Sequence, residues 1–140
     1  MPITYETIWS AIVTILVLVL YVYMGSRVGG MRGKHNIAAP AVSGHPEFER
    51  AFRVHANTLE QLMIFFPLLW LATLLYHGIG WLPALLGLIF LAGRIIFMQR
   101  YMADPKSRAP GIMIGVIAYV GLLILAVIGI VQDWSALSAA

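Results

Sequence analysis

The sequence predicts an all-α membrane protein, a bundle of four transmembrane helices that forms one domain over residues 1–140. Hydrophobic residues make up 61% of the chain and charged residues only 11%, whereas about a quarter of a typical soluble domain is charged. The apolar residues fall in four long runs separated by short polar segments. One small core could not bury so much apolar surface, so lipid is the expected solvent for much of it.

Helix-breaking residues set the expected limits of each element. The first apolar run leads into a basic loop with several glycines and prolines, which we expect over residues 27–46. Pro46 and Glu47 suit the first turn of the second helix, and Pro67 inside that helix should produce a kink. A tight turn over residues 77–80 precedes the third helix. The helices are therefore expected at approximately residues 5–26, 47–76, 81–103 and 109–132.

The basic residues predict the orientation of the chain in the membrane. All nine Lys and Arg lie within residues 27–53 or 94–108, and the turn at 77–80 has none. Because basic loops stay cytoplasmic, we expect a multi-pass protein with both termini on the non-cytoplasmic side. A bacterial inner membrane suits so short a chain. These residues flank apolar runs rather than forming a solvated face, so nucleic acid is not an expected partner.

Polar side chains at the start of the second helix predict a functional site. Glu49, Arg53, Asn57 and Glu60 follow a spacing of i, i+4, i+8 and i+11, which places them on one face of a helix. Ionisable residues at membrane depth are costly and usually functional. The alternative is that Arg53 forms ion pairs with the two glutamates and that these pairs only lock the helices together.

A second polar stripe lies on the third helix and continues beyond it. Arg94 and Tyr101 are two helical turns apart, and Arg108 comes just before the fourth helix. The excess of arginine over acidic residues indicates an anionic ligand. An anion beside Arg108 would be favoured by the guanidinium and by the helix N-terminus, and a thiol held there would be more acidic. On spacing alone, Arg108 is equally a basic anchor at the membrane surface.

The motif of the second helix resembles that of a known family. It reads Glu49-Arg50-x-x-Arg53-x-His55-x-Asn57-x-x-Glu60. It is similar to the signature of the membrane-associated proteins in eicosanoid and glutathione metabolism, the MAPEG family, and the similarity extends through Arg94 and Tyr101 to Arg108. The family includes microsomal glutathione transferases, the cysteinyl-leukotriene synthase, a prostaglandin E synthase and a non-catalytic arachidonate-binding relative.

The resemblance implies a homotrimer that binds glutathione, the co-substrate, between neighbouring protomers near the cytoplasmic face. Arg94 and Tyr101 would reach the site from the adjacent protomer, and Arg108, as the catalytic residue, would stabilise the glutathione thiolate. Phe97 stands where leukotriene-type members have Tyr, and Gln61 replaces a common aromatic residue, so glutathione binding is implied more strongly than leukotriene synthesis. The residues implied to contact glutathione are Arg32, Arg53, His55, Asn57, Glu60, Arg94 and Tyr101.

The implied function is that of a membrane-bound glutathione transferase acting on apolar electrophiles that arrive through lipid, with glutathione-dependent peroxidase activity on lipid hydroperoxides as a further activity. A non-catalytic lipid-binding or scaffold protein of the same fold is the main alternative. A small transporter is disfavoured, because the deep charges cluster toward one membrane face. The chain has no cysteine and its four histidines lack metal-ligand spacing, so neither a protein thiol nor a metal site is expected.

Overall fold

The computed structural model describes residues 4–139, which form four long antiparallel α-helices. They are α1 (Tyr5–His35), α2 (Pro46–Leu75), α3 (Leu82–Ala103) and α4 (Ala109–Ser138), with a short 3-10 helix, Pro105–Arg108, before α4. Each is long and apolar enough to cross a membrane, the fourth together with the 3-10 helix, and residues 4–139 contain no strand. The predicted fold class is confirmed, and the chain is an all-α integral membrane protein.

The first helix extends beyond its predicted end at residue 26 and continues to His35. The loop predicted from residue 27 is therefore wrong as far as residue 35. The three glycines in this stretch stay helical, because each costs only about 1 kcal/mol relative to Ala and the basic side chains of the last turn interact favourably with the helix dipole. The helix ends at Asn36, whose left-handed conformation (φ 53°) directs its N–H to the last carbonyls. The fourth helix likewise continues past residue 132, to Ser138.

The two ends of the bundle differ in composition. α1 and α3 end, and α2 and α4 begin, at the end that carries both basic blocks, which we call the basic end. The opposite end, called the distal end, holds the turn between α2 and α3 and both ends of the described chain. Tyr5, Trp9, Trp81 and Trp134 are exposed there, as is typical of side chains at a membrane–water interface.

The second helix packs against all three of the others, as α3 also does. Pro46 occupies its first turn, where His45 Nδ1 accepts the N–H of Glu47 at 3.2 Å. The helix runs unbroken through Pro67. Its buried side chains recur every three or four positions, at Phe48, Ala51, Val54, Thr58, Leu62, Phe65, Leu69 and Ala72. The polar stripe that contains Arg53 is therefore left on another face of the helix.

The main apolar core lies in the distal half of the bundle. Phe65 and Phe90 stack there with ring centroids 3.9 Å apart and an interplanar angle of 6°, and both are completely buried. Side chains from all four helices surround them, among them Val13, Val17, Leu69, Ala118 and Leu122. A hydrogen bond of 2.7 Å between Ser10 and Thr73 joins α1 to α2 closer to the distal end. This half is therefore held together mainly by close apolar packing.

Glycines bring α3 and α4 close together below the basic end. A Cβ atom added to Gly111 would lie 2.5 Å from the Cα of Phe97, so any side chain there would push the two backbones apart. Gly93 makes a similar approach, since its Cβ would lie 3.0 Å from the backbone N of Gly115. The small residue at Gly111 thus allows close packing of the two helices. It fixes the start of α4 against the last turns of α3.

Candidate functional site

A polar cleft opens at the basic end between α2, α3 and the start of α4. It has a volume of about 390 Å³ and is lined by Arg53, Asn57, Glu60, Phe97, Tyr101, Arg108 and Ile112. We call it the basic-end cleft. Five of these residues are among the eight that the sequence predicts for the site. The other three predicted residues, Arg32, His55 and Arg94, do not line it.

The second helix supplies one wall of the cleft. Arg53, Asn57 and Glu60 lie on one side of α2 because four and then three residues separate them. Their neighbours Val54 and Thr58 are buried and face the other helices. In the single chain, the side chains of Arg53 and Glu60 are exposed and that of Asn57 is half-buried. The cleft is therefore built on the outer face of the bundle and is accessible from its surroundings.

The connection between α3 and α4 brings Tyr101 and Arg108 to the same cleft. Ser107 Oγ donates to the carbonyl of Arg100 at 3.0 Å and to that of Asp104 at 2.8 Å, which folds the 3-10 helix back onto the end of α3. Arg108 then lines the cleft beside Tyr101 of the same chain. Tyr101 therefore lines the cleft of its own chain, whereas the resemblance implied that it reaches the site from an adjacent protomer.

The charged groups of the basic-end cleft do not neutralise one another. Within residues 4–139, no carboxylate lies within 4.0 Å of the guanidinium of Arg53 or of Arg108. Glu49 instead accepts the N–H of Gly44 at 3.0 Å. The alternative in which Arg53 is locked in ion pairs with Glu49 and Glu60 is therefore wrong. The lining carries two positive charges and one negative charge, so an anionic ligand would be attracted.

Arg94 lies behind the cleft rather than in its wall. It is only 2% exposed, and its Nη2 donates to Asn57 Oδ1 at 3.1 Å and to Thr58 Oγ1 at 2.7 Å. Its guanidinium carbon also lies 4.1 Å from the ring centre of Phe97. The prediction that Arg94 acts from an adjacent protomer is wrong, because these partners belong to its own chain. Since Arg94 occupies the carbonyl oxygen of Asn57, the NH₂ group of Asn57 remains as a donor for the cleft.

Arg32 of α1 and His55 of α2 lie where these two helices pack against each other. Arg32 Nη1 donates to the carbonyl of Ala41 at 2.8 Å, and its guanidinium carbon lies 4.7 Å from the ring centre of Phe48. The ring of His55 stacks on that of Tyr21, with centroids 4.4 Å apart. Neither side chain therefore contacts a molecule bound in the basic-end cleft of the same chain.

Comparison with known proteins adds to this geometry. The family model of the MAPEG family matches residues 10–128, a stretch that contains every residue of the basic-end cleft. The chain belongs to the MAPEG family. The resemblance seen in the second-helix motif is thus confirmed over most of the sequence.

Three MAPEG relatives show how far the similarity extends. Microsomal glutathione S-transferase 2 of Homo sapiens is 34% identical over 120 residues, which cover 84% of this chain and 80% of that protein. Leukotriene C4 synthase of Rattus norvegicus is 35% identical over 103 residues, covering 74% of this chain and 67% of that protein. An uncharacterized protein of Synechocystis sp. is 35% identical over 133 residues, covering 95% and 96% of the two chains. These similarities support a function of the glutathione-transferase type.

In this MAPEG chain the cleft combines polar groups with an apolar wall. Phe97 and Ile112 form that wall. Neither is among the predicted site residues, although each lies one helical turn from Tyr101 or Arg108. At the basic end, a second cavity of about 290 Å³ shares Arg53 and Tyr101 with the cleft. A charged molecule can therefore bind the polar lining, while an apolar molecule can approach from lipid at Ile112, which is 37% exposed.

Proposed function

We propose that this protein is a membrane-bound glutathione transferase that joins the sulphur of glutathione to apolar electrophiles dissolved in lipid. The observation that carries the proposal is the basic-end cleft, where Arg53, Asn57, Glu60, Tyr101 and Arg108 of one chain surround a single cavity. Membership of the MAPEG family and the names of the relatives support it.

The polar groups of the cleft complement the charges of glutathione, which has two carboxylates, one ammonium and one thiol. A guanidinium such as that of Arg53 can hold a carboxylate through two parallel hydrogen bonds. The carboxylate of Glu60 suits the ammonium, and the NH₂ group of Asn57 can donate to a second acceptor. This assignment leaves Arg108, beside the N-terminus of α4, for the sulphur.

Arg108 would act by stabilising the thiolate. Its positive charge and the N–H groups at the start of α4 both favour the anion over the thiol. The thiol proton passes to water, and the sulphur electron pair forms a new S–C bond to the electrophile. The electron pair of the broken bond then leaves with the displaced group. Phe97 and Ile112 would place the electrophile next to the sulphur.

A neighbouring copy of the chain would complete the site. Arg53 and Glu60 are exposed on the outer face of α2, next to Met63, which is 73% exposed. Because charged side chains that face lipid are costly, we expect another protomer to cover this face in a homotrimer. Arg32 and His55 would then reach glutathione from that protomer, since they do not line the cleft of their own chain. The basic end would face the cytoplasm, as the positive-inside rule requires.

The decisive experiment measures turnover of glutathione with a generic apolar electrophile by the protein purified in detergent. We expect Arg108→Ala to lower kcat by roughly 100- to 1,000-fold, as for other donors that stabilise a developing anion. Glutathione binding should persist through Arg53 and Glu60. The matched control is Arg100→Ala, which removes an exposed arginine at the same end of the bundle but outside the cleft and should leave kcat unchanged.

The outcomes separate the proposed enzyme from its main alternative. Equal losses in both variants would mean that overall basic charge, rather than Arg108, supports the reaction. A wild-type protein that binds glutathione or a lipophile without turnover would instead be a non-catalytic lipid-binding member of this fold.

A further inference from the structure

A cluster of potential metal ligands lies outside the basic-end cleft, where α1 ends and α2 begins. His35 is the last residue of α1, His45 precedes α2, and Glu47 lies in its first turn. One potential ligand atom from each of the three lies within 4.8 Å of the other two. We propose that His35, His45 and Glu47 bind one divalent transition-metal ion of the Zn²⁺ type, which would join α1 to α2. The proposal does not depend on the glutathione transferase function.

The fold creates a cluster that the spacing of the histidines does not predict. Nine residues lie between His35 and His45, and they form a closed loop. Within that loop Arg32 Nη1 holds the carbonyl of Ala41 at 2.8 Å, and the N–H of Ile37 donates to the carbonyl of Arg32 at 3.0 Å. The sequence predicted no metal site, and the proposed site at this loop would make that prediction wrong.

The pair formed by His35 and Glu47 already has a suitable separation. His35 Nε2 lies 2.9 Å from Glu47 Oε2. In a tetrahedral zinc site with bonds of about 2.0–2.2 Å, neighbouring ligand atoms are roughly 3.3–3.6 Å apart. A metal ion could therefore replace the proton between these two atoms with a side-chain shift of a few tenths of an ångström.

The third ligand has to move further. The ring of His45 stacks on that of His35 with centroids 3.5 Å apart and an interplanar angle of 13°. Two parallel rings cannot both direct an in-plane lone pair at one ion. Metal binding therefore requires the His45 ring to turn out of the stack, which is feasible because it is only half-buried. Since His45 Nδ1 accepts the N–H of Glu47, its Nε2 is the free ligand atom.

The donor set defines the class of metal. Two imidazoles and one carboxylate suit Zn²⁺, Cu²⁺ and Ni²⁺ better than the oxygen-seeking Ca²⁺ or Mg²⁺. The cluster is partly exposed, so water can complete the coordination sphere. A bound ion would stabilise the folded chain by an amount that rises with the logarithm of its concentration over its dissociation constant, because it adds a further link between α1 and α2.

Lys34 opposes metal binding. Its Nζ lies 2.6 Å from the same Oε2 atom of Glu47 that faces His35. The ammonium therefore competes for a ligand atom and repels a cation. Removing this charge while keeping a polar side chain, as in Lys34→Gln, should tighten metal binding by roughly two- to fivefold, the usual range for an exposed charge pair.

The test is a titration of the full chain with Zn²⁺ by calorimetry, after chelator treatment and without a polyhistidine tag. We expect one equivalent of Zn²⁺ to bind. His35→Ala and Glu47→Gln should abolish binding, whereas His77→Ala, at the distal end, should bind as the wild type does. With Cu²⁺ as the probe, the electron paramagnetic resonance spectrum should show coupling to two imidazole nitrogens in the wild type and to one in His45→Ala.

Two results would overturn the proposal. One is the absence of stoichiometric Zn²⁺ binding in both the wild type and Lys34→Gln. The other is equal affinity in the wild type and His35→Ala. Lys34→Gln also keeps the test informative if other variants misfold, because the expected result is a gain of affinity, which a damaged fold would not produce.

Discussion

The distal half and the basic end of this bundle are built from the same four helices but are stabilised in different ways. The distal half is filled by stacked and interlocked apolar side chains, with Phe65 against Phe90 at its centre. The basic end contains a buried arginine, Arg94, and a cleft whose two guanidiniums have no carboxylate within ion-pair distance in residues 4–139. The difference indicates that packing in the distal half supplies most of the stability, while the basic end keeps charges available for a ligand.

Truncating the distal stack is the strongest test of this division. We expect Phe90→Ala to lower the free energy of unfolding by about 3 kcal/mol, the lower end for a buried Phe, because in lipid the loss is mainly of packing contacts. Unfolding in detergent measures this change. Leu88→Ala, a control at an exposed position in the same helix, should change it by less than about 0.5 kcal/mol. Glutathione affinity per folded Phe90→Ala molecule should equal that of the wild type, and a parallel loss would show that the two regions are coupled.

Changing the charges of the cleft should weaken glutathione binding without lowering the stability of the fold. Arg53→Gln and Glu60→Gln should each weaken glutathione binding by about 2 kcal/mol, roughly 30-fold, because each removes a charge-assisted hydrogen bond. Neither should lower the Tm, since no ion pair is lost from the described chain. Calorimetric titration with glutathione and a thermal scan give both quantities. Arg27→Gln, an exposed residue outside the cleft, is the control, and a fall in Tm with full affinity in Arg53→Gln would reverse the assignment.

Substitutions at two glycines of α4 test whether its close contact with α3 positions Arg108. Gly111→Ala should cost about 1 to 2 kcal/mol, because its Cβ would clash with the backbone at Phe97 and move the start of α4. Since Arg108 is carried by that segment, turnover should fall as well. Gly115→Ala is the matched control, because its Cβ would meet nothing closer than 3.9 Å. Equal effects of the two changes would mean that the close contact at Gly111 does not position Arg108.

Arg94 should have the smallest effect, and an indirect one. Arg94→Met should weaken glutathione binding by about 1 kcal/mol, since the amide of Asn57 would lose the hydrogen bond that orients it. In a double-mutant cycle, Arg94→Met and Asn57→Ala should be non-additive by at least about 0.5 kcal/mol. Additive losses would show instead that Arg94 contacts glutathione directly.

The fold class and one wall of the cleft were predictable because both depend on local periodicity. Long apolar runs specify membrane helices, and residues four or three apart, such as Arg53, Asn57 and Glu60, share a face of any helix. That these residues bind glutathione stays a prediction. Periodicity also locates Arg94 on the correct side of α3, yet it does not determine whether a long side chain enters the cavity or lies behind it.

The remaining features depend on contacts between segments. Tyr101 and Arg108 meet within one chain because Ser107 folds the 3-10 helix onto α3, and no sequence spacing encodes that bond. The length of α1 was underestimated because the glycines of its last turns indicate a loop, whereas a cap at Asn36 and favourable basic side chains keep the backbone helical. The cluster at His35 and His45 likewise requires a closed loop.

The length of the helices has a consequence for the choice of membrane. α1, α2 and α4 contain 31, 30 and 30 residues, so each is about 45 Å long, against roughly 30 Å for the hydrocarbon layer. Arg53 lies seven residues into α2, about 10 Å from its start, and therefore close to the hydrocarbon boundary. A thicker hydrocarbon layer would move that boundary past the cleft. Vesicles made from longer-chain lipids should submerge Arg53 and slow the entry of glutathione, so bilayer thickness would itself regulate turnover.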